Sequence, residues 1–573
     1  MKWLPAIGLA ALTAGTAGAE PDPPEPPPVT LTVALEVDPG KGRVRPAAHA
    51  LYFTPDELLS QLTGETLVAL RDDLSIAPML AEDYRVSDDG RTYTFRIRRD
   101  AKFHNGQPVT ATDVVWVWRD YYLNPATSWP CRIVYDGRAS IEERTNGAEV
   151  VAVEAAGVDT IVFRLARPSN LFLARMADVT TVGSCAPFIF HRDSIDESGA
   201  MREPIGTGPY RLAGRDDNGT IRLTRFDGYV PRTEPRDGYA GAREALVDQL
   251  LLRPFVNRTA MLDALVGGEV DIVLDVKAGE LDALRQEHGL DLQTRSTINF
   301  WNLLIQTQDP LLSDRRIRRA IAHAIDTGRI ASVMTAGRQL ANPSPISRNS
   351  HFHTAAHDAG HDYDPGRARR LLQEAGYTGQ AIELQTNDDA YPEMLRIAML
   401  LREMLTAAGF NIVLKVMPWE EQLETHFRGG SFQLQSYGQS GRNHPVLVYG
   451  KFVGPKARMA RFQWDDAEAF ALVAAAQEAP GIEPQQRIFD ELHARMLLDV
   501  PTIVLFNFEY HDAVRAGVCG FESTSFMRPL LWGVGKLTPD ATDQAAATHN
   551  TSCPGATRKT ATAASASDAS AKR

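Results

Sequence analysis

A chain of 573 residues exceeds what one hydrophobic core usually holds, so two or three lobes are expected. Its 44% apolar and 23% charged residues are ordinary for a soluble globular protein. A net charge of −12 argues against nucleic acid or an anionic membrane surface as the main partner, while leaving room for a local basic pocket.

Met1-Lys2 supplies a positive start, and Leu4 to Ala14 is an apolar run too short to span a bilayer. Ala17-Gly18-Ala19 fits an A-x-A cleavage site, so residues 1–19 read as a signal peptide and the mature chain is expected to start near Glu20. No cysteine occurs in the first 130 residues, so no lipid anchor is expected. Residues 20–32 are proline-rich and read as an extended spacer.

Asp88-Asp89-Gly90 predicts a turn, followed by a strand alternating Tyr93, Phe95 and Ile97 against Thr94, Arg96 and Arg98. A second turn at Asn105-Gly106 precedes a helix started by Thr110 or Thr112. Ser313 is placed as the cap of a helix whose apolar face is Ile317, Ala320, Ile321, Ala324 and Ile325. Asp364-Pro365 opens another helix, stopped by Gly376. A third runs from about Glu393 to Ala408 and feeds a strand from Asn411 to Met417. This alternation favours α/β sheets covered by helices. Residues 538–573 have no hydrophobic periodicity and read as a disordered tail.

The four cysteines belong in an oxidising compartment, and no C-x-x-C occurs. Cys131 with Cys185 is the preferred disulfide, and Cys519 with Cys553 is a weaker pair because Cys553 lies in the tail; free thiols are the alternative for all four.

Several stretches together resemble the extracytoplasmic solute-binding proteins of peptide and nickel ABC importers (the large type, family 5). The run from Asp89-Gly90 through Phe95, Ile97 and Arg98 to Lys102-Phe103-His104-Asn105-Gly106, ending at Asp113-Val114, matches the family's recurring pattern. Gly206-Thr207-Gly208-Pro209-Tyr210, the helix–strand from Asn257 to Ile272, the stretch from Asp314 to Asp326, and Tyr363-Asp364-Pro365 through Gly376-Tyr377 follow in the family's order. The resemblance implies a periplasmic-binding-protein fold: two main lobes joined by a hinge, plus an inserted accessory lobe, three domains in all. On that basis residues 33–65, 206–294 and 501–537 form the first lobe, 66–205 the accessory lobe and 295–500 the second lobe. It further implies a monomer in the periplasm that binds a small-molecule or oligopeptide ligand between its main lobes. The ligand would then pass to a permease and its ATPase in the cytoplasmic membrane.

No catalytic constellation is evident. Gly438-Gln439-Ser440-Gly441 lacks the spacing of a nucleophile elbow, and H-E-x-x-H and the P-loop are absent. Arg211 stands where a dinucleotide motif after Gly206 and Gly208 needs its third glycine. An enzyme is therefore not expected, nor a cofactor.

Closure around a ligand asks instead for aromatic walls and a few polar groups. The resemblance places Trp419 in the cleft; Phe300, Trp301 and Tyr437 are further candidates. The family carries an aspartate that pairs with a peptide's ammonium group; ungapped counting from Gly438 puts Arg442 there, with Gln439 in place of a tryptophan and Asn443 alongside. No Asp or Glu occurs from Gly429 to Trp464. A cation cannot anchor an ammonium, whereas a guanidinium holds a carboxylate or phosphate by two parallel hydrogen bonds. The ligand is thus expected to present an anion, a blocked amine or no charge. An oligosaccharide or other non-peptide solute, a periplasmic sensor and, less so, a periplasmic hydrolase are the alternatives.

His351, His353, His357 and His361 lie within eleven residues. On a helix, His353, His357 and His361 would share a face able to hold Zn²⁺, Ni²⁺ or Cu²⁺; the flanking polar residues favour a solvated loop.

Overall fold

The structure, a computed structural model, describes residues 28–38, 43–44, 55–127, 129, 131–136, 148–179, 185–197, 199–526, 528–537 and 553. The expected signal peptide, most of the spacer and all of the tail except Cys553 lie outside them. The spacer is shorter than expected at its far end, because a strand already begins at Thr30.

One 11-stranded sheet runs through the described residues. In spatial order it takes the strands Asn411–Val416, Ala381–Thr386, Leu434–Gln439, Leu290–Ile305, Thr502–Arg515, Ile272–Val273, Thr30–Asp38, Gln249–Phe255, Ile221–Arg225 and Tyr210–Arg215, with Arg43–Val44 paired beside Thr30–Asp38. A separate four-stranded antiparallel sheet is made by Ala81–Val86, Thr92–Ile97, Thr160–Leu165 and Val150–Ala155. There Tyr93, Phe95 and Ile97 face inward, as their alternation requires, and Phe95 meets Phe163 edge-to-face at 5.5 Å.

The two longest strands, Leu290–Ile305 and Thr502–Arg515, pair antiparallel along their length and connect two cores. Ile298 and Val514 belong to the first core, together with Leu31, Leu252 and the accessory sheet. Trp301, Leu303, Ile305, Leu505 and Phe508 belong to the second. The register shifts between Ser296 and Phe300, so the ladder breaks where the incoming strand passes from one core to the other. The outgoing strand crosses only after Phe508. Its run Ile503-Val504-Leu505-Phe506 is apolar on both faces because helices and loops cover both sides of the sheet.

Local chemistry explains most boundaries. Thr110 caps Ala111–Trp116 through a reciprocal pair of bonds with Asp113. Asp364 caps Pro365–Glu374, and Pro392–Ala407 precedes the strand Asn411–Val416. The helix Arg315–Ala324 is capped by Asp314, whose side chain accepts the Arg316 N–H at 2.8 Å, and not by Ser313, one residue earlier. Gly206 and Gly208 are required by proximity: a Cβ would stand 1.9 Å from the Thr63 carbonyl oxygen and 2.5 Å from that of Leu62, respectively.

Cys131 and Cys185 form a disulfide within the accessory region, and Cys519 and Cys553 form a second. The latter ties a residue of the C-terminal extension to the first lobe, where its sulfur lies against Gly520 and Gly535.

Candidate ligand-binding cleft

The strand Leu434–Gln439 pairs with the incoming long strand, setting Gln439 opposite Phe300 and Gly438 opposite Trp301. Beyond it the chain is pinned to the crossing. The Gly441 N–H donates to Asn299 Oδ1 at 2.7 Å, and a Cβ at Gly441 would lie 2.2 Å from the Ile298 carbonyl oxygen. Only glycine fits so close an approach, which holds the loop 440–444 beside the register break.

Arg442, the next residue, is half-buried, and its Nη1 donates to the Gly441 carbonyl at 3.0 Å. Asn443 is buried, and its side-chain amide donates at 2.7 Å to the carbonyl of Ala174, in the helix Leu171–Met176. His444 accepts the Val446 N–H, capping Pro445–Tyr449, and its other ring nitrogen meets Gln485 at 3.0 Å. Burial pushes its pKa down to about 3, so the ring is neutral.

Trp419 opens a short helix, and its backbone N–H is held by Asp389 at 3.0 Å. Its half-buried ring stands 4.7 Å from Tyr391 and 5.7 Å from Tyr437. Tyr437 is buried, and desolvation raises its phenol pKa well above the ordinary range. Gln439 is also buried. Trp419 and Tyr437 thus form one aromatic group, while Gln439, Arg442 and Asn443 share one stretch of chain.

Two expected wall residues are core residues instead. Phe300 is 1% exposed and packs with Val448 and Val504, and Trp301 is 2% exposed with its ring 4.1 Å from Phe508. Successive strand residues point to opposite faces, and here both faces are covered. Asn443 also departs from expectation, since its amide is engaged across the lobes.

The histidine group is divided. Residues 355–358 make a short 3₁₀ turn and not a helix, so no common face forms. The His357 ring lies 5.5 Å from His353 and 5.3 Å from His493, whereas His361 stands 5.6 Å from His323. Burial holds His357 and His361 down to about 4, leaving both neutral. Among the described residues no cluster of three or more metal-ligating side chains is assembled.

Sequence reasoning missed Asp389 and Tyr391, which position and flank Trp419, and Asn170, which joins the start of the helix Leu171–Met176 to the end of the helix Ala467–Glu478. Asp389 and Tyr391 immediately precede a Pro392-opened helix, a local signal that could have marked them. Asn170 carries none.

Residues 75–455 match the family described as bacterial extracellular solute-binding proteins, family 5 Middle. The Probable ABC transporter periplasmic-binding protein SapA of Escherichia coli is 26% identical over 513 residues, covering 84% of this chain and 90% of that one. The dipeptide-binding protein of the same organism is 25% identical over 389 residues, 64% of this chain and 68% of that one. HbpA2 from Haemophilus parasuis superposes with a TM-score of 0.71 at 21% identity, covering 89% of this chain and 100% of that chain. The two lobes bridged by paired long strands, the inserted accessory sheet and these matches agree: the chain belongs to the bacterial extracellular solute-binding proteins, family 5.

Proposed function

We propose that this protein captures a peptide-like or related small solute between its two main lobes, closes around it and passes it unaltered to an ABC permease. The reading rests on one relationship. The loop carrying Arg442, directly after Gln439, is fixed through Gly441 to Asn299, within the register break of the strands that join the lobes. A solute held at that loop sits beside the pivot, so small rotations there bring the lobes together. A micromolar Kd corresponds to about 8 kcal/mol, enough to drive closure if the solute strongly prefers the closed form.

Similarity to a dipeptide-binding protein favours a peptide-like solute. Arg442, in a stretch without Asp or Glu from Gly429 to Trp464, favours one that presents a carboxylate or phosphate there in place of a free ammonium. No helix among the described residues is long and apolar enough to cross a membrane.

Calorimetric titration with dipeptide and tripeptide mixtures, on wild type and Arg442→Ala, tests the solute class. Weak binding of ordinary peptides by the wild type is expected, together with a bound anionic solute seen by native mass spectrometry of periplasm-purified protein. Micromolar peptide binding that Arg442→Ala leaves unchanged would remove the anionic assignment. A wild type that carries no solute from the periplasm and binds none of these mixtures would remove the capture reading.

A further inference from the structure

The accessory helix Leu171–Met176 has neighbours in two lobes. Phe172 and Met176 pack into the first core. Leu171, 1% exposed, packs instead into a cluster of the second lobe that includes Ile346, Val446, Tyr449 and Val473. Just before it, the Asn170 backbone N–H donates to the Gln477 carbonyl at 2.9 Å. The Asn170 side-chain amide donates to the Ala476 carbonyl at 3.1 Å and the Ala479 carbonyl at 2.6 Å.

Those three carbonyls lie at the end of the helix Ala467–Glu478, where the last four carbonyls of any helix lack partners in their own helix. One residue of the accessory lobe therefore caps a helix of the second lobe with three donors. The second lobe returns the arrangement: the Asn443 amide donates to the Ala174 carbonyl, in the last turn of the accessory helix. Asparagine suits both places, because its amide carries two N–H donors on a short stem.

We propose that this reciprocal capping, with Leu171 as its apolar pin, is a latch that keeps the accessory lobe fastened to the second lobe in the solute-free protein and lets go when the lobes open to admit solute. The proposal rests on the reading that the lobes open and close. Helix-end carbonyls and asparagine amides are satisfied equally well by water, so parting leaves no buried orphan group. A permanent junction would be built on a broad apolar face, whereas here the apolar contribution from the accessory side is centred on Leu171. The loops Arg71–Ser75 and Ser347–His353 add a second contact between lobes, where the His351 N–H donates to the Asp73 carbonyl at 2.8 Å.

Small-angle scattering and amide exchange on the full, solute-free chain test the latch. The variant Asn170→Ala/Leu171→Ser is expected to show a larger radius of gyration than wild type. Exchange at residues 169–172 should be about tenfold faster, as loss of one or two ordinary hydrogen bonds implies. Exchange within the strands Thr92–Ile97 and Thr160–Leu165 should stay as in wild type. Asn170→Ala alone, which keeps the apolar pin, should move the same way by less and guards against a fold defect in the double variant. Scattering and exchange identical to wild type in both variants would overturn the latch. So would a solute-free wild type already as expanded as the double variant. Failure of solute capture would leave the scattering comparison unaffected, so the two readings fall separately.

Discussion

Arg98 and Glu65 face each other at 3.5 Å with side chains 5% and 1% exposed, joining the end of the strand Thr92–Ile97 to the turn after the helix Pro55–Thr63. Tyr229 adds a hydrogen bond to Glu65 at 3.0 Å, and Arg98 Nη1 donates to the Val230 carbonyl. Removing Arg98 leaves the buried Glu65 with Tyr229 and the nearby Arg243 as its compensation, so Arg98→Ala is expected to lower stability by about 3 kcal/mol. Arg98→Ala/Glu65→Leu should lose less than that. Denaturant unfolding of both variants checks the order, and a double variant weaker than the single one would contradict it.

Each disulfide closes a substantial loop, with separations of 54 residues for Cys131–Cys185 and 34 for Cys519–Cys553. Loop-closure entropy assigns about 4 kcal/mol to a loop of either size. Replacing Cys131 and Cys185 together by alanine should therefore lower the unfolding free energy by roughly that amount, read in guanidinium titrations. An unchanged midpoint and slope would show that the bond contributes nothing to the folded state.

Asp512 is buried beside Asp275, whose N–H it accepts at 3.1 Å, and it also accepts the Ser523 hydroxyl. Desolvation raises its pKa to about 6, against an ordinary value near 3.8, while the Ser523 and Asp275 bonds pull in the opposite direction. A raised carboxyl contributes stability that is complete below the unfolded value and lost as pH climbs through about 6. Asp512→Asn should thus gain on wild type by about 2 kcal/mol between pH 4 and pH 7, measured as the difference of two unfolding curves. A difference independent of pH would refute the shifted carboxyl.

Trp419 is half-buried against Tyr391 and Tyr437, so a solute entering beside it changes its surroundings. Tryptophan fluorescence should change as the natural solute is titrated, and Trp419→Phe should remove most of that signal without altering circular dichroism. Retention of the full signal by Trp419→Phe would place the solute elsewhere.

The elements legible in the sequence are those whose causes are local. The Asp89-Gly90 turn and the inward alternation of Tyr93, Phe95 and Ile97 need only neighbouring residues, as does the cap Asp364; between Thr110 and Thr112 the structure chose Thr110. The order of motifs carried the family and with it the fold. Ser313 missed the true cap by one position, because Ser313 and Asp314 both have capping side chains and only backbone geometry chooses between them.

Burial and pairing across the chain were decided by tertiary structure. Phe300 and Trp301 look alike as cleft aromatics or as core until both faces of their strand are seen to be covered. His353, His357 and His361 could share a ligand face only on a helix; a short 3₁₀ turn stands there instead, with His361 beside His323 and His357 beside His493. Asn170 and Ala479 meet across 309 residues of chain, and Asn443 and Ala174 across 269. Local periodicity and capping chemistry are written within a few residues. Contacts between lobes depend instead on where separately folded surfaces come to rest, and no short stretch of sequence records that.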